Sequence, residues 1–279
     1  MNIPFRILQA GTCTGPQSVA MKGAPRKKVT FPALCALLEH PTRGPILYDT
    51  GYAPFLFEAA KTSFAIRLYL KVIPVSVDQS QSAAAQLEKL GVRPDELKTL
   101  IISHFHPDHV AGLRDFPNAE FRYFREAYES ALRLSKFKRS MKAFFPHLHP
   151  LDLEERSKPI DLDARSANPA PYDIFDHGVD LFGDGSIRGI PLPGHAYGQM
   201  GLAFNDGDGR PVFLCADAAW YSQSIRERRP PSSAARFLMS SVPEFHDSFE
   251  RLCDFHERNP DVEIIPAHCP EIVEKYVNA

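Results

Sequence analysis

Between residues 103 and 109 the chain reads Ser103-His104-Phe105-His106-Pro107-Asp108-His109, and the short apolar run Thr99 to Ile102 leads straight into it. Such a run predicts a strand, so the cluster leaves the strand at its carboxyl end, where sites gather in α/β sheets. Three imidazoles and a carboxylate within six positions are costly to gather in a core. They are also the N and O donors that a divalent ion such as zinc accepts. A lone histidine is ordinarily structural. Four donors in H-x-H-x-D-H order are not explained by packing and predict a metal site on His104, His106, Asp108 and His109.

The rest of the pattern is α/β. Phe5 to Gln9, Thr30 to Leu38 and Ile46 to Asp49 read as strands between Gly-, Pro- and Arg-rich turns. A helix is predicted over Gln81 to Leu90, with Gly91 as its stop, and another over Phe124 to Ser135. Strands resume at Ile187 to Leu192, Gly201 to Asn205 and Val212 to Ala216, the last two joined by the turn Asp206-Gly207-Asp208-Gly209. Pro243 opens a helix whose Phe245, Phe249, Leu252 and His256 share one face, and strand Val262 to Pro266 ends at Ala267-His268. No repeat or linker divides the chain, which reads as a single domain over 1–279. The proline-broken stretch 144–171 is the candidate lid or substrate-facing insertion.

H-x-H-x-D-H after a strand resembles the signature of the metallo-β-lactamase superfamily. That resemblance implies an αββα sandwich, two mixed sheets flanked by helices, with the site at one edge. It also implies further ligands, and Pro193-Gly194-His195, Asp217 and His268 each end a predicted strand in the order the family uses. By that similarity His104, His106 and His195 hold one ion, Asp108, His109 and His268 hold a second, and Asp217 bridges them. The implied cofactors are two divalent ions, zinc first, with iron or manganese as alternatives.

Gly11-Thr12-Cys13, the run Gly44 to Gly51, Val92 to Leu97 and Leu192-Pro193-Gly194-His195 resemble the N-acyl-homoserine lactonase branch more than the glyoxalase II branch. The resemblance implies hydrolysis by a hydroxide bridging the two ions, with Asp108 as ligand and proton relay. Opening of a lactone such as an N-acyl-homoserine lactone, the basis of quorum quenching, is the implied activity. The alternatives are an esterase, thioesterase or phosphoesterase on the same scaffold, or a metal-bound partner protein with little turnover. Lactonases of this branch place a tyrosine three residues after the bridging aspartate. Here that position is Trp220, with Tyr221 next to it, so either residue stands as the substrate-contacting candidate.

Asp49-Thr50-Gly51 also invites an aspartic-protease reading, which needs a second such triplet to share a proton; the sequence has none. Asp49 is instead expected to steady a ligand histidine. His147 and His149 have no carboxylate in register and read as surface or core histidines. The run Arg133, Lys136, Lys138, Arg139 and Lys142 reads as a solvated helix face. The apolar segment Phe64 to Val72 is core, an acyl-pocket wall or a homodimer contact.

The net charge of −2, from 32 basic and 34 acidic residues, gives no electrostatic reason to expect nucleic acid or a membrane as partner. A small molecule with an acyl or otherwise apolar part fits better. The five cysteines are odd in number and hold no C-x-x-C pair, so reduced thiols in a cytoplasmic setting are expected. Neither an export signal at the start nor a run of about 18 apolar residues is present.

Overall fold

The alternation of side chains along the strands determines the layers. In the strand Lys28–His40 (β2), Leu34, Ala36 and Leu38 face one apolar layer while Cys35 and Leu37 face another. In the strand Pro211–Ala216 (β10), Val212, Leu214 and Ala216 join the first of those layers, whereas Phe213 and Cys215 face a third. Strands buried on both faces need cover on both sides, and the computed structural model, which describes residues 1–162 and 172–278, supplies it as an αββα sandwich.

The first sheet has the order Val75–Ser76 (β4), Phe5–Pro16 (β1), β2, Gly44–Tyr48 (β3), Thr99–Ile101 (β5) and Glu120–Arg122 (β6). The second runs Glu263–Pro266 (β11), β10, Met200–Asn205 (β9), Arg188–Pro191 (β8) and Val179–Asp180 (β7). Both are mixed: β3, β5 and β6 are parallel, as are β10 and β11, and the remaining pairs are antiparallel. Between the sheets lie Ile7, Leu38, Ile46, Ile101, Leu202 and Leu214. Outside the second sheet the helix Val242–Arg258 presents Phe245, Phe249, Leu252 and Phe255 to Phe213. Outside the first, the helix Ala83–Lys89 covers Leu8, Leu37 and Leu100 with Ala83, Ala84 and Leu87.

One departure from the sequence reading has a local cause. β1 continues seven residues past Gln9, because a bulge between Gln9 and Thr12 carries the ladder through Gly11, whose φ of 79° the sequence reads as a turn. The expected substrate-facing stretch 144–171 is described as far as residue 162. In that part Phe144, Phe145, Leu148 and Leu153 are buried in the outer layer of the first sheet, so it is held by its aromatic and leucine side chains as packing; residues 163–171 lie outside the described residues.

One close approach fixes the second sheet's outer helix to the site. Gly194, at φ 113°, lies so near the first turn of the helix Val242–Arg258 that a Cβ there would stand 2.0 Å from the Phe245 backbone nitrogen. Gly194→Ala is expected to destabilise the fold by about 2–5 kcal/mol, through left-handed strain together with overpacking. Denaturant unfolding measures it, and an unchanged midpoint contradicts this account of the junction.

Candidate metal centre

The topology brings the carboxyl ends of several strands to one edge. β3 and β5 are parallel neighbours, so Asp49 and the loop after Ile101 emerge side by side. In the second sheet β8, β10 and β11 run the same way, and their ends deliver His195, Asp217 and His268. The sheets are clasped there by main-chain hydrogen bonds, Met200 N donating to Ser103 O at 2.9 Å and Leu34 N to Ala267 O at 3.0 Å, while Ala267 N donates to Ala216 O at 3.2 Å within the second sheet.

All seven residues singled out as ligands meet at this edge. The donor atoms of His104, His106 and His195 lie within 4.8 Å of one another, and so do those of Asp108, His109, Asp217 and His268. Asp217 is also close to the first group: its Oδ2 is 3.1 Å from His195 Nε2 and 3.2 Å from His268 Nε2, and its Oδ1 is 3.4 Å from His109 Nε2. Asp108 Oδ2 lies 3.3 Å from His268 Nε2. The five imidazoles are buried.

Hydrogen bonds behind the cluster aim the rings. Asp49, held at φ 59°, accepts from Ser103 N at 2.7 Å with Oδ1, and its Oδ2 is 2.8 Å from His109 Nδ1. Thr50 Oγ1 donates to the His109 carbonyl at 2.9 Å and accepts from Gly112 N at 3.1 Å. The Asp-Thr-Gly triplet therefore braces the histidine loop, with Asp49 in the steadying role expected of it. His268 Nδ1 donates to Pro32 O at 2.7 Å, and Ser103 Oγ is 3.0 Å from His104 Nδ1. A ring whose Nδ1 holds the proton turns an Nε2 lone pair toward the cluster.

The electrostatics divide the site. Burial, with His195 alongside, pushes His106 down to about 3, and burial with His109 and His106 holds His104 well below the usual imidazole range. Burial likewise lowers His195. Burial thus favours the neutral form of these three rings, which offers lone pairs. Burial would lower His109 too, but Asp49, Asp108 and Asp217 outweigh it and raise it to about 10; the same contest leaves His268 well above its ordinary value. Burial opposes the charge on Asp108, yet His109 and His268 draw it down to about 2. The carboxylates thus demand positive charge. The donor set fits divalent cations: His104 Nε2, His109 Nε2 and Asp217 Oδ1 are buried within it without a hydrogen-bond partner among the described residues.

Above the cluster opens an apolar cavity of about 250 Å³. His106, Asp108, His195, Asp217 and His268 form its polar floor, and Val19, Phe31, Val72, Phe237 and Leu238 contribute walls. Phe64 to Val72 is the helix expected as core, pocket wall or dimer contact; its Tyr69 and Val72 line the cavity, and only Ile66 in it is buried. Trp220 reaches the cavity as well, its ring 6.1 Å from that of His195 and 5.9 Å from that of His268. Its Nε1 is buried without an acceptor among the described residues.

Tyr221 does not share that position. Its ring stacks on Phe31 at 6.0 Å within the core outside the second sheet, and it is not among the residues lining the cavity, a correction to its candidacy for substrate contact. Successive residues after Asp217 point different ways, so adjacency to Trp220 could not place Tyr221 in the site. Tyr52 was missed. Its hydroxyl is 3.0 Å from that of Tyr69, and both phenols reach the cavity, where Asp108 acts on each. They come from separate segments, and no spacing in the sequence pairs them. His149 is a core histidine against Phe105 and Phe144, pushed by burial down to about 3.

Residues 29–258 match the metallo-beta-lactamase superfamily. The chain belongs to that superfamily. It is 26% identical to a probable metallo-hydrolase of Mycobacterium tuberculosis over 86% of this chain and 76% of the relative. It is 28% identical to the N-acyl homoserine lactonase AttM of Agrobacterium fabrum over 70% of this chain and 66% of that one. A solved N-acyl homoserine lactone hydrolase, with the product N-hexanoyl-L-homoserine at its catalytic metal center, superposes with a TM-score of 0.74 at 22% identity, covering 99% of this chain and 97% of the other, and shows the same fold. The chain is a metal-dependent hydrolase, and N-acyl homoserine lactonases are among its relatives.

Asp49→Asn removes the carboxylate that orients His109 and replaces one acceptor by an amide donor. It is expected to weaken metal binding by about 10–100-fold. Competition against a chromophoric zinc chelator reads the change, and an affinity within about twofold of the parent would show that Asp49 only closes a turn.

Proposed function

We propose that the chain is a dinuclear lactonase that opens acyl lactones, N-acyl-homoserine lactones among them. The observation that carries this reading is the pair of donor groups joined at Asp217 on the floor of an apolar cavity. His104, His106 and His195 hold one ion, Asp108, His109 and His268 the other, and Asp217 lies between them. The nitrogen-rich first group suits zinc, with iron or manganese accepted according to supply. Bound there, divalent ions supply Lewis-acid polarisation of the scissile carbonyl and an ionised water near neutral pH.

The chain's own residues perform the remaining tasks. Asp108 stands on the cavity floor beside His268 and is placed to carry a proton to the leaving alkoxide of the opened ring. The unpaired indole N–H of Trp220 is a fixed donor for a substrate oxygen, and its ring presents an apolar face beside His195 and His268. The Tyr52 and Tyr69 pair supplies the phenol that the branch carries at the Trp220 position. The walls accept an acyl chain and exclude water from it.

Trp220 also supports a second reading, a linear ester or thioester, because a bulky indole favours an apolar group next to the scissile bond. A panel of acyl lactones, thioesters and phosphodiesters assayed on one metal-loaded preparation separates the two. Acyl-homoserine from the lactones is the expected dominant product. Thioester cleavage exceeding lactone opening by about tenfold in kcat/KM, equivalent to about 1.4 kcal/mol in the barrier, contradicts the lactonase reading. On the preferred lactone, Trp220→Phe and Tyr69→Phe are each expected to lower kcat/KM by about tenfold, the loss of one hydrogen bond of about 1.5 kcal/mol, with metal content intact.

A further inference from the structure

Large apolar side chains left in solvent are concentrated on one face. Among the described residues nine are exposed, and six of them, Phe64, Leu68, Val72, Phe137, Met141 and Phe237, belong to the helices Phe64–Val72 and Lys136–Met141 and the turn Ser233–Phe237. Phe64 and Phe137 are 72% and 75% exposed. All six line a groove of about 400 Å³, which shares Tyr69, Val72, Ile73, Ala143, Phe237 and Leu238 with the cavity above the metal cluster. The groove adjoins the cavity along these shared residues. A contiguous apolar patch of this kind marks an interaction surface.

Charge identifies what covers it. The same two helices, with Lys142 and the turn, carry Arg67, Lys71, Lys136, Lys138, Arg139, Lys142 and Arg236 and no carboxylate, in a chain whose net charge is −2. On the neighbouring helices Glu58 is paired with Lys61 and Glu129 with Arg125 and Arg133, and Glu126 is one carboxylate against the seven cations of the face. Arg67, Arg139 and Lys142 donate to backbone carbonyls, which keeps their charge. A twofold contact with a second copy would set these cations against themselves. An anionic bilayer complements both features at once, taking the aromatic tips into its headgroup and acyl boundary while long basic side chains reach the phosphates.

We propose that this face docks the protein on anionic lipid membranes, with the groove that adjoins the metal-site cavity held against the bilayer so that substrates with long apolar chains enter from the lipid. Docking is independent of the reaction; only the nature of what enters rests on the lactonase reading. The expectation of no membrane partner came from the net charge, which averages out a local patch.

The test is cosedimentation of the purified full chain with phosphatidylcholine vesicles, with and without about a third phosphatidylserine, at low and high salt. Binding to the anionic vesicles is expected to exceed binding to the neutral ones by at least about tenfold and to fall as salt rises. Lys136→Glu with Lys138→Glu, and separately Phe137→Asp, are each expected to lower it by at least about tenfold. Unchanged circular dichroism and unchanged hydrolysis of a short-chain lactone show that the variants fold. Lost lactone turnover in the parent with docking intact would count against the lactonase reading alone. Equal partition to the two vesicle types overturns the proposal. So does a parent dimer in sedimentation velocity that Phe137→Asp dissolves, which would make the face a contact between copies.

Discussion

Five imidazoles and the carboxylates of Asp108 and Asp217 are held together in the interior edge of two sheets, with Asp49 directly behind them. Buried charge of this density is tolerated only when it is paired. The surrounding carboxylates raise the proton affinity of His109 and His268 against the cost of burial. Divalent cations meet the same demand and use the lone pairs that protons would occupy. The surrounding architecture serves this constraint, since the ligands sit at or just beyond strand ends, and His104, His109 and His268 are each held at Nδ1 by a partner behind the cluster.

The clasp between the sheets gives the site its precision. Ser103, in the histidine loop of the first sheet, accepts from Met200 of the second, and Ala267, beside His268 in the second, accepts from Leu34 of the first. Tyr48 adds a side-chain bond from β3 to the Met200 carbonyl at 2.6 Å. Each donor group draws ligands from both sheets, so the backbone clasp fixes their mutual positions, which keeps the reacting geometry organised before a substrate arrives.

Much of this was legible in the sequence, for a physical reason. Ligand residues at strand ends are local signals: an apolar run followed by His, Asp or Gly-His can be read from a few positions, as at Ile102 to His109 or Leu214 to Asp217. The long helix Val242–Arg258 and the turn at Asp206 to Gly209 were equally local, one by period and capping and the other by turn chemistry. What escaped depends on tertiary contact. The pairing of Tyr52 with Tyr69, the turning away of Tyr221 onto Phe31, and the burial of Phe144 and Leu148 are settled by which layers meet. The basic run ending at Lys142 reads in sequence as a solvated face, because nothing there sets it beside Phe64 and Phe237 around one groove.

Every step attributed to this chain rests on the cluster holding two cations bridged by Asp217. Elemental analysis of the purified protein, with protein concentration fixed by amino-acid analysis, tests that directly. The account predicts close to two divalent ions per chain, falling to about one in Asp217→Ala as the shared carboxylate is lost. A parent stoichiometry of at most one ion per chain, even after zinc, iron or manganese supplementation, would contradict it.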